Sequence, residues 1–163
     1  MNTKDAIKAA GDMSLFVLKK YVEDFSDAEL LQRPTPGCNH LAWQLGHLIS
    51  SEIFLVNGVA PGVKIELPAG FIEHHDKKNA ASDDPAQFLK REEYVALFDR
   101  VRAETYKALD ALPDAKLDDP SPEMFRSMFP TVGHMFTLIT THPLMHAGQF
   151  AVVRRNLGKP VVI

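Results

Sequence analysis

The chain has one cysteine, Cys38, in 163 residues, which excludes an intrachain disulfide framework and fits a reducing compartment. It has no surplus of positive charge. Lys and Arg number 18 against 21 Asp and Glu, a net charge of −3. A general nucleic-acid binder needs a basic face, and Arg154-Arg155 is only a local pair. Long apolar runs are absent as well. The N-terminal stretch Met13–Leu18 is bracketed by Asp12 and Lys19, too short for a signal core or a membrane span. Alternating apolar and polar residues, the mark of strands, are missing apart from a short "VKIEL". No repeat or low-complexity tract occurs. These absences lead to the expectation of a cytoplasmic protein with no nucleic-acid or membrane partner, folded as one domain over residues 1–163.

What is present is helical periodicity. Ile7, Ala10, Ser14, Leu18, Tyr21/Val22 and Phe25 recur at steps of three and four, so a first helix is expected over about 3–25. Ser26 and Glu29 form a capping pattern for a short turn. After the turn cluster "RPTPGCN", Asn39 is the expected N-cap of a second helix that Asn57-Gly58 closes. Leu41, Leu45, Leu48, Glu52 and Leu55 form one stripe on it; Trp43, His47, Ser50/Ser51 and Phe54 form the next. Residues 58–84 make a long connector of the kind that crosses a bundle or covers a site. A third helix is expected from 85–91 to Leu112, with Pro85 in its first turn. Its apolar face holds Tyr94, Leu97/Phe98, Val101, Thr105 and Leu109, while Arg91, Glu92, Arg100, Arg102 and Glu104 are expected outside. A fourth runs from near Pro130 to about Asn156, ended by Gly158 and Pro160. The periodicity continues on both sides of Pro143, so that proline is expected to kink the helix rather than end it. The expected fold is an all-α four-helix bundle.

The chain is rich in one chemistry-bearing residue, with seven histidines. On helix four, Val132, Met135, Ile139, His142, His146, Gln149 and Val153 form one seam. His142 and His146 stand one turn apart, about 40° from each other around the axis. His47 on helix two lies beside the Leu45/Leu48 stripe. Histidines at i and i+4 can share one ion without distorting a helix. Burying several imidazoles without partners is costly, and a common cation removes that cost. Three imidazoles with one open position is a frequent catalytic zinc arrangement, and nickel or iron also accept it. His40 at the start of helix two and His134, about 80° off the seam, are weaker candidates. His74-His75 is expected to be solvated, unless the connector brings one of them to the site. The protease pattern H-E-x-x-H is absent: proline occupies the glutamate position in His142-Pro-Leu-Met-His146.

Together, "NHLAWQLGHLISSE" and, about ninety residues on, "THPLMHAGQFAVVRRNLGKP" resemble the DinB-like superfamily of metalloenzymes. The shared features are a histidine in a G-H-L context and an H-x-x-x-H-x-G-Q pattern. The resemblance implies a four-helix bundle with a long crossover between helices two and three. It implies a divalent metal (zinc, nickel or iron) on His47, His142 and His146, and homodimers. Its members with known activity include thiol S-transferases and isomerases that use low-molecular-weight thiols, so a small-molecule substrate, a thiol among the candidates, is expected.

On that basis the chain is expected to activate a small thiol, with Gln149 orienting a ligand or substrate from behind. Arg154 or Arg155 could hold a carboxylate, though surface charge is the simpler role. A metal-dependent hydrolase is the alternative. It lacks an evident base, because Glu52 faces roughly 140° away from His47 and only Glu73, His74 or His75 could approach from the connector. A non-catalytic metal-binding bundle is the third reading. Cys38, just ahead of helix two, is expected to be a turn residue rather than a reactive thiol.

Overall fold

The structure, a computed structural model, describes residues 1–161. Four long helices carry it: α1 (Thr3–Val22), α2 (Leu41–Val59), α4 (Arg91–Ala111) and α5 (Val132–Asn156). A single-turn helix, α3 (Phe71–His74), lies in the connector, and several one-turn 3₁₀ segments punctuate the loops. There is no strand among the described residues; "VKIEL" is irregular, and an isolated bridge joins Pro120 to Thr131. No helix among the described residues is long and apolar enough to cross a membrane.

Side-chain contacts give the helix directions. Lys8 pairs with Asp110 and Lys19 with Asp99, so α1 and α4 run antiparallel. Arg102 bonds the carbonyls of both Gly11 and Thr140, and Arg154 bonds that of Tyr21, so α1 and α5 run side by side in the same direction. Gln44 meets His146 and Gln149 while Glu52 lies at the level of Thr140, which makes α2 and α5 antiparallel. By the same logic α2 and α4 are parallel. Parallel neighbours cannot be joined by a tight turn. Residues 60–90 must carry the chain back along the bundle, which explains the length of the connector.

The apolar stripes pack into two lobes. One contains Leu18, Leu45, Leu48, Tyr94, Phe98 and Phe150. The other contains Ile7, Val56, Leu109, Met135, Phe136 and Ile139. Between them lies a polar layer to which all four long helices contribute. Arg102, only 3% exposed, donates from Nε and Nη2 to the two carboxylate oxygens of Glu52 (2.9 and 3.0 Å) and from Nη1 to the Gly11 and Thr140 carbonyls. Thr105 Oγ1 donates to Glu52 Oε1 at 2.8 Å. Gly11 is obligatory here, since a Cβ would lie 2.6 Å from Arg102 Nη1 and 2.4 Å from the Tyr106 hydroxyl. Arg102 is therefore not on the outer face where its neighbours Arg100 and Glu104 suggest it; a charge four residues beyond Phe98 on the inward stripe needs a buried partner, and Glu52 is that partner.

Several local expectations are corrected. The first helix ends at Val22, although Phe25 still packs in the core. Ser26 and Glu29 do exchange side-chain–backbone bonds. Pro85 opens a separate 3₁₀ turn, and α4 starts at Arg91. Arg154 is fully buried rather than superficial: it ties the end of α5 to the end of α1 through Asp24, the Tyr21 carbonyl and the Pro160 carbonyl. It is thereby committed to holding two helix ends and is not free to bind a carboxylate substrate. Arg155 is exposed. α5 passes through Pro143 without interruption, though proline has no N–H to offer the Ile139 carbonyl.

Candidate metal centre

The start of α2 is held by side chains that sequence reading underestimates. Its N-cap is His40, not Asn39. His40 Nδ1 accepts from the Trp43 backbone N–H at 3.0 Å, and the Nε2 proton goes to the Ser82 carbonyl at 3.1 Å. An imidazole nitrogen can cap an orphan helix N–H as a carboxamide does, and His40 is buried where Asn39 is not. The Asn39 carbonyl instead accepts from Gln44 Nε2 at 2.7 Å.

The connector's second half is stapled to this end of α2. Arg33 bonds the Ala80 carbonyl and Asp83, and the Trp43 indole donates to the Asp76 carbonyl at 3.2 Å. His75 is 3% exposed, contrary to the expectation of a solvated residue. Its Nδ1–H donates to the Phe71 carbonyl and its Nε2 accepts from the Tyr94 hydroxyl, both at 2.7 Å. Burial holds its pKa down at about 4 and raises that of Tyr94. The His75 ring lies against Gly46, where a Cβ would stand 2.0 Å from it. The glycine preceding His47 is thus required by a histidine from the connector. No sequence periodicity within α2 could reveal that.

Above this packing, His47, His142 and His146 converge. One ligand nitrogen from each lies within 4.8 Å of the other two. All three are half-buried, at the rim of the α2/α5 seam rather than inside the core, which Leu45 and Leu48 fill. The ring centroids stand 5.7 Å (His47–His142), 5.5 Å (His47–His146) and 5.1 Å (His142–His146) apart. Trp43 stacks on His47 at 5.0 Å with the planes 6° apart, fixing that ring. Ser51 Oγ is 3.5 Å from His47 Nε2, at the limit of a hydrogen bond. Among the described residues nothing hydrogen-bonds the His142 ring. His146 Nδ1 is 2.8 Å from Gln44 Oε1. Desolvation lowers the pKa of all three, to about 4 for His142 and His146, with the neighbouring imidazoles adding to it there and Lys77 adding to it at His47. They are neutral at pH 7, with lone pairs available.

No fourth histidine, cysteine or carboxylate completes the group among the described residues. His40 and His75 are occupied as described, and His134 bonds Thr131 at the start of α5. Glu73 is exposed and His74 half-buried in α3, and neither belongs to the cluster. Glu52 belongs to the polar layer. Cys38 lies in the Thr35–Cys38 turn with Sγ 3.3 Å from Thr35 Oγ1, as expected of a turn residue. Among the described residues Gln149 makes no hydrogen bond to a histidine; it accepts from Gln44 Nε2 at 3.1 Å. Gln44, 1% exposed, is the residue sequence reading missed. The donor set suits a divalent cation: three neutral imidazoles aimed at one another, one ring without a protein partner, and an open side. A cleft lies elsewhere, between α1 and α4, lined by Leu15, Phe16, Val95 and Ala96.

Comparison with known proteins agrees with this architecture. A sequence model of the DinB superfamily matches residues 16–150. Among solved structures, YfiT from Bacillus subtilis, described as a probable metal-dependent hydrolase with an unusual four-helix bundle topology, superposes with a TM-score of 0.66 at 18% identity. The match covers 96% of this chain and 89% of YfiT. A conserved protein from Enterococcus faecalis gives a TM-score of 0.75 at 16% identity, covering 98% of this chain and 99% of that one. No curated protein matches significantly.

Proposed function

Because this chain belongs to the DinB superfamily, we propose that it is a metal-dependent enzyme. In this reading His47, His142 and His146 hold a divalent ion, zinc, nickel or iron, and the reaction uses a low-molecular-weight thiol as nucleophile. A divalent ion held by these three imidazoles would supply Lewis acidity and lower the pKa of a thiol or water bound to it. The observation that carries the thiol reading is that, among the described residues, no Asp or Glu joins the three histidines. A thiol loses its proton near neutrality and needs little help, whereas water activation is usually assisted by a side-chain base. The reaction is a substitution: the thiol sulfur forms a bond to an electrophilic carbon, the bond to the leaving group breaks, and that group departs with the electron pair. The thiol proton passes to solvent on the open side. Trp43 stacks on the His47 ring and ties the connector to α2 through the Asp76 carbonyl.

The test is direct. Protein loaded in turn with zinc, nickel and ferrous iron is incubated with small thiols and an alkylating electrophile, and thiol consumption is followed. The expected result is metal-dependent consumption that His142→Ala abolishes. No metal-dependent consumption with any common thiol would overturn the thiol reading. Hydrolysis is the second reading, favoured by the description of YfiT. Metal-dependent release of alcohol or amine from ester and amide substrates in the same preparations would establish it. A homodimer, implied by the family resemblance alone, belongs to the same proposal, and sedimentation would test it.

A further inference from the structure

Among the described residues His146 is the member of the triad with a short hydrogen bond from a ring nitrogen to a protein group, 2.8 Å to Gln44, whereas His47 Nε2 stands 3.5 Å from Ser51 Oγ and His142 has no such bond. Gln44 belongs to a hydrogen-bond chain whose direction is forced. The Asn39 carbonyl can only accept, so the atom of Gln44 that faces it at 2.7 Å must be the NH₂. The second proton of that NH₂ goes to Gln149 Oε1 at 3.1 Å. Gln44 Oε1 therefore points to His146, 2.8 Å from Nδ1, and an amide oxygen can only accept. Hence Nδ1 bears the proton, and the lone pair lies on Nε2, the nitrogen left for the cluster. Gln44 is buried, and both ends of its amide are engaged, so it cannot flip without facing oxygen to the Asn39 carbonyl oxygen.

We infer that Gln44 is a positioning residue that holds His146 as the Nδ1–H tautomer, presenting Nε2 to the ion before any ion arrives. The inference rests on the reading of the triad as a metal site. Gln149 acts one step further back, by orienting Gln44. A ligand pre-set in tautomer and ring angle binds without first reorganising, and loss of such outer partners typically weakens metal affinity about 10–100-fold. His142, with no hydrogen bond among the described residues, and His47, held by stacking, are not locked in this way.

The experiment has two independent readouts. In metal-free protein with ¹⁵N-labelled histidine, long-range ¹H–¹⁵N correlation reports each tautomer. His146 is expected as Nδ1–H in the wild type and in Gln44→Glu, which, kept protonated by burial beside the Asn39 carbonyl, donates to that oxygen and still offers an acceptor to His146. It is expected to shift toward Nε2–H in Gln44→Met, which matches the shape but cannot accept. Zinc affinity by competition with a chromogenic chelator is then expected to fall about 10–100-fold in Gln44→Met and to be largely restored in Gln44→Glu. A merely structural role would not move the tautomer and would not be rescued by glutamate. An unchanged tautomer and affinity in Gln44→Met, or a wild-type His146 already in the Nε2–H form, would overturn the inference. The wild-type spectrum decides even if the methionine variant fails to fold. A wild type that shows the Nδ1–H form yet binds no metal would instead sink the metal reading and leave the tautomer lock standing.

Discussion

Two polar clusters lie along the same bundle, both involving α2 and α5, and they are built on opposite rules. In the central layer, Arg102, Glu52 and Thr105 are nearly inaccessible, and the guanidinium and carboxylate meet partners from all four helices. It is a closed circuit. At the α2/α5 rim, the three histidines are half-buried and lose hydration, each has at least one ring nitrogen left unbonded, and among the described residues His142 receives no hydrogen bond. It is an open circuit. Buried polar groups are normally satisfied, so a cluster that is desolvated without being satisfied points to something it is built to hold. His40 and His75 make the contrast sharper, since each has both ring nitrogens bonded and neither joins the cluster.

The largest expected effect tests the closed cluster. Arg102→Met leaves Glu52 buried without its counter-charge, and stability by urea denaturation should fall by about 3–5 kcal/mol. Its metal affinity, measured under conditions where it remains folded, should stay near the wild-type value. Gly46→Ala comes next. The added methyl meets a His75 ring that cannot retreat, because both its nitrogens are bonded. Overpacking of this kind costs about 1–3 kcal/mol. It should also displace the start of α2 at Trp43 and His47, so here stability and metal affinity should fall together, unlike in Arg102→Met.

Acid tests the closed histidine. His75 has a folded-state pKa of about 4 against an ordinary value of 6.5. The folded value is depressed, so below about pH 6.5 the unfolded chain takes up the proton first. Stability is complete above that pH and declines as pH falls toward about 4, where the decline levels off. Protonation also forces a donor at Nε2 toward the Tyr94 hydroxyl that now donates to it. A denaturation series across this range should show less acid sensitivity in His75→Asn than in the wild type. Equal sensitivity would remove His75 from the closed class.

The bundle and the triad were legible in the sequence for a common reason: both are periodic. His142 and His146 fall on the Met135–Ile139–Val153 seam, and His47 on the stripe with Trp43, so helical spacing alone puts them near one another. What remained hidden depends on pairing between elements. Arg102 and Arg154 look like surface charge because their partners, Glu52 and Asp24, are 50 and 130 residues away. His75 sits in a polar run, "EHHDKKNAASDD", and becomes core only because Gly46 leaves room for it. Gln44 stands between Trp43 and Leu45 with no pattern of its own. Its meaning comes from His146, 102 residues on.

The smallest expected effect is the most discriminating. If the triad is an open circuit, removing one member from the metal-free protein removes almost nothing that holds the fold together. Among the described residues His142 makes edge contacts with His47 and His146 and no hydrogen bond, and its imidazole is desolvated without compensation there. Leucine is apolar, similar in size and a better helix former. His142→Leu should therefore change metal-free stability by no more than about 0.5 kcal/mol in the unfavourable direction, and a gain is consistent with the same argument. The wild type should gain about 2.7 kcal/mol when the free metal is held at about 100 times its dissociation constant, and His142→Leu should lose most of that gain. A metal-free penalty approaching that of Arg102→Met would mean that His142 has a structural bonding role after all, and the distinction between the two clusters would collapse.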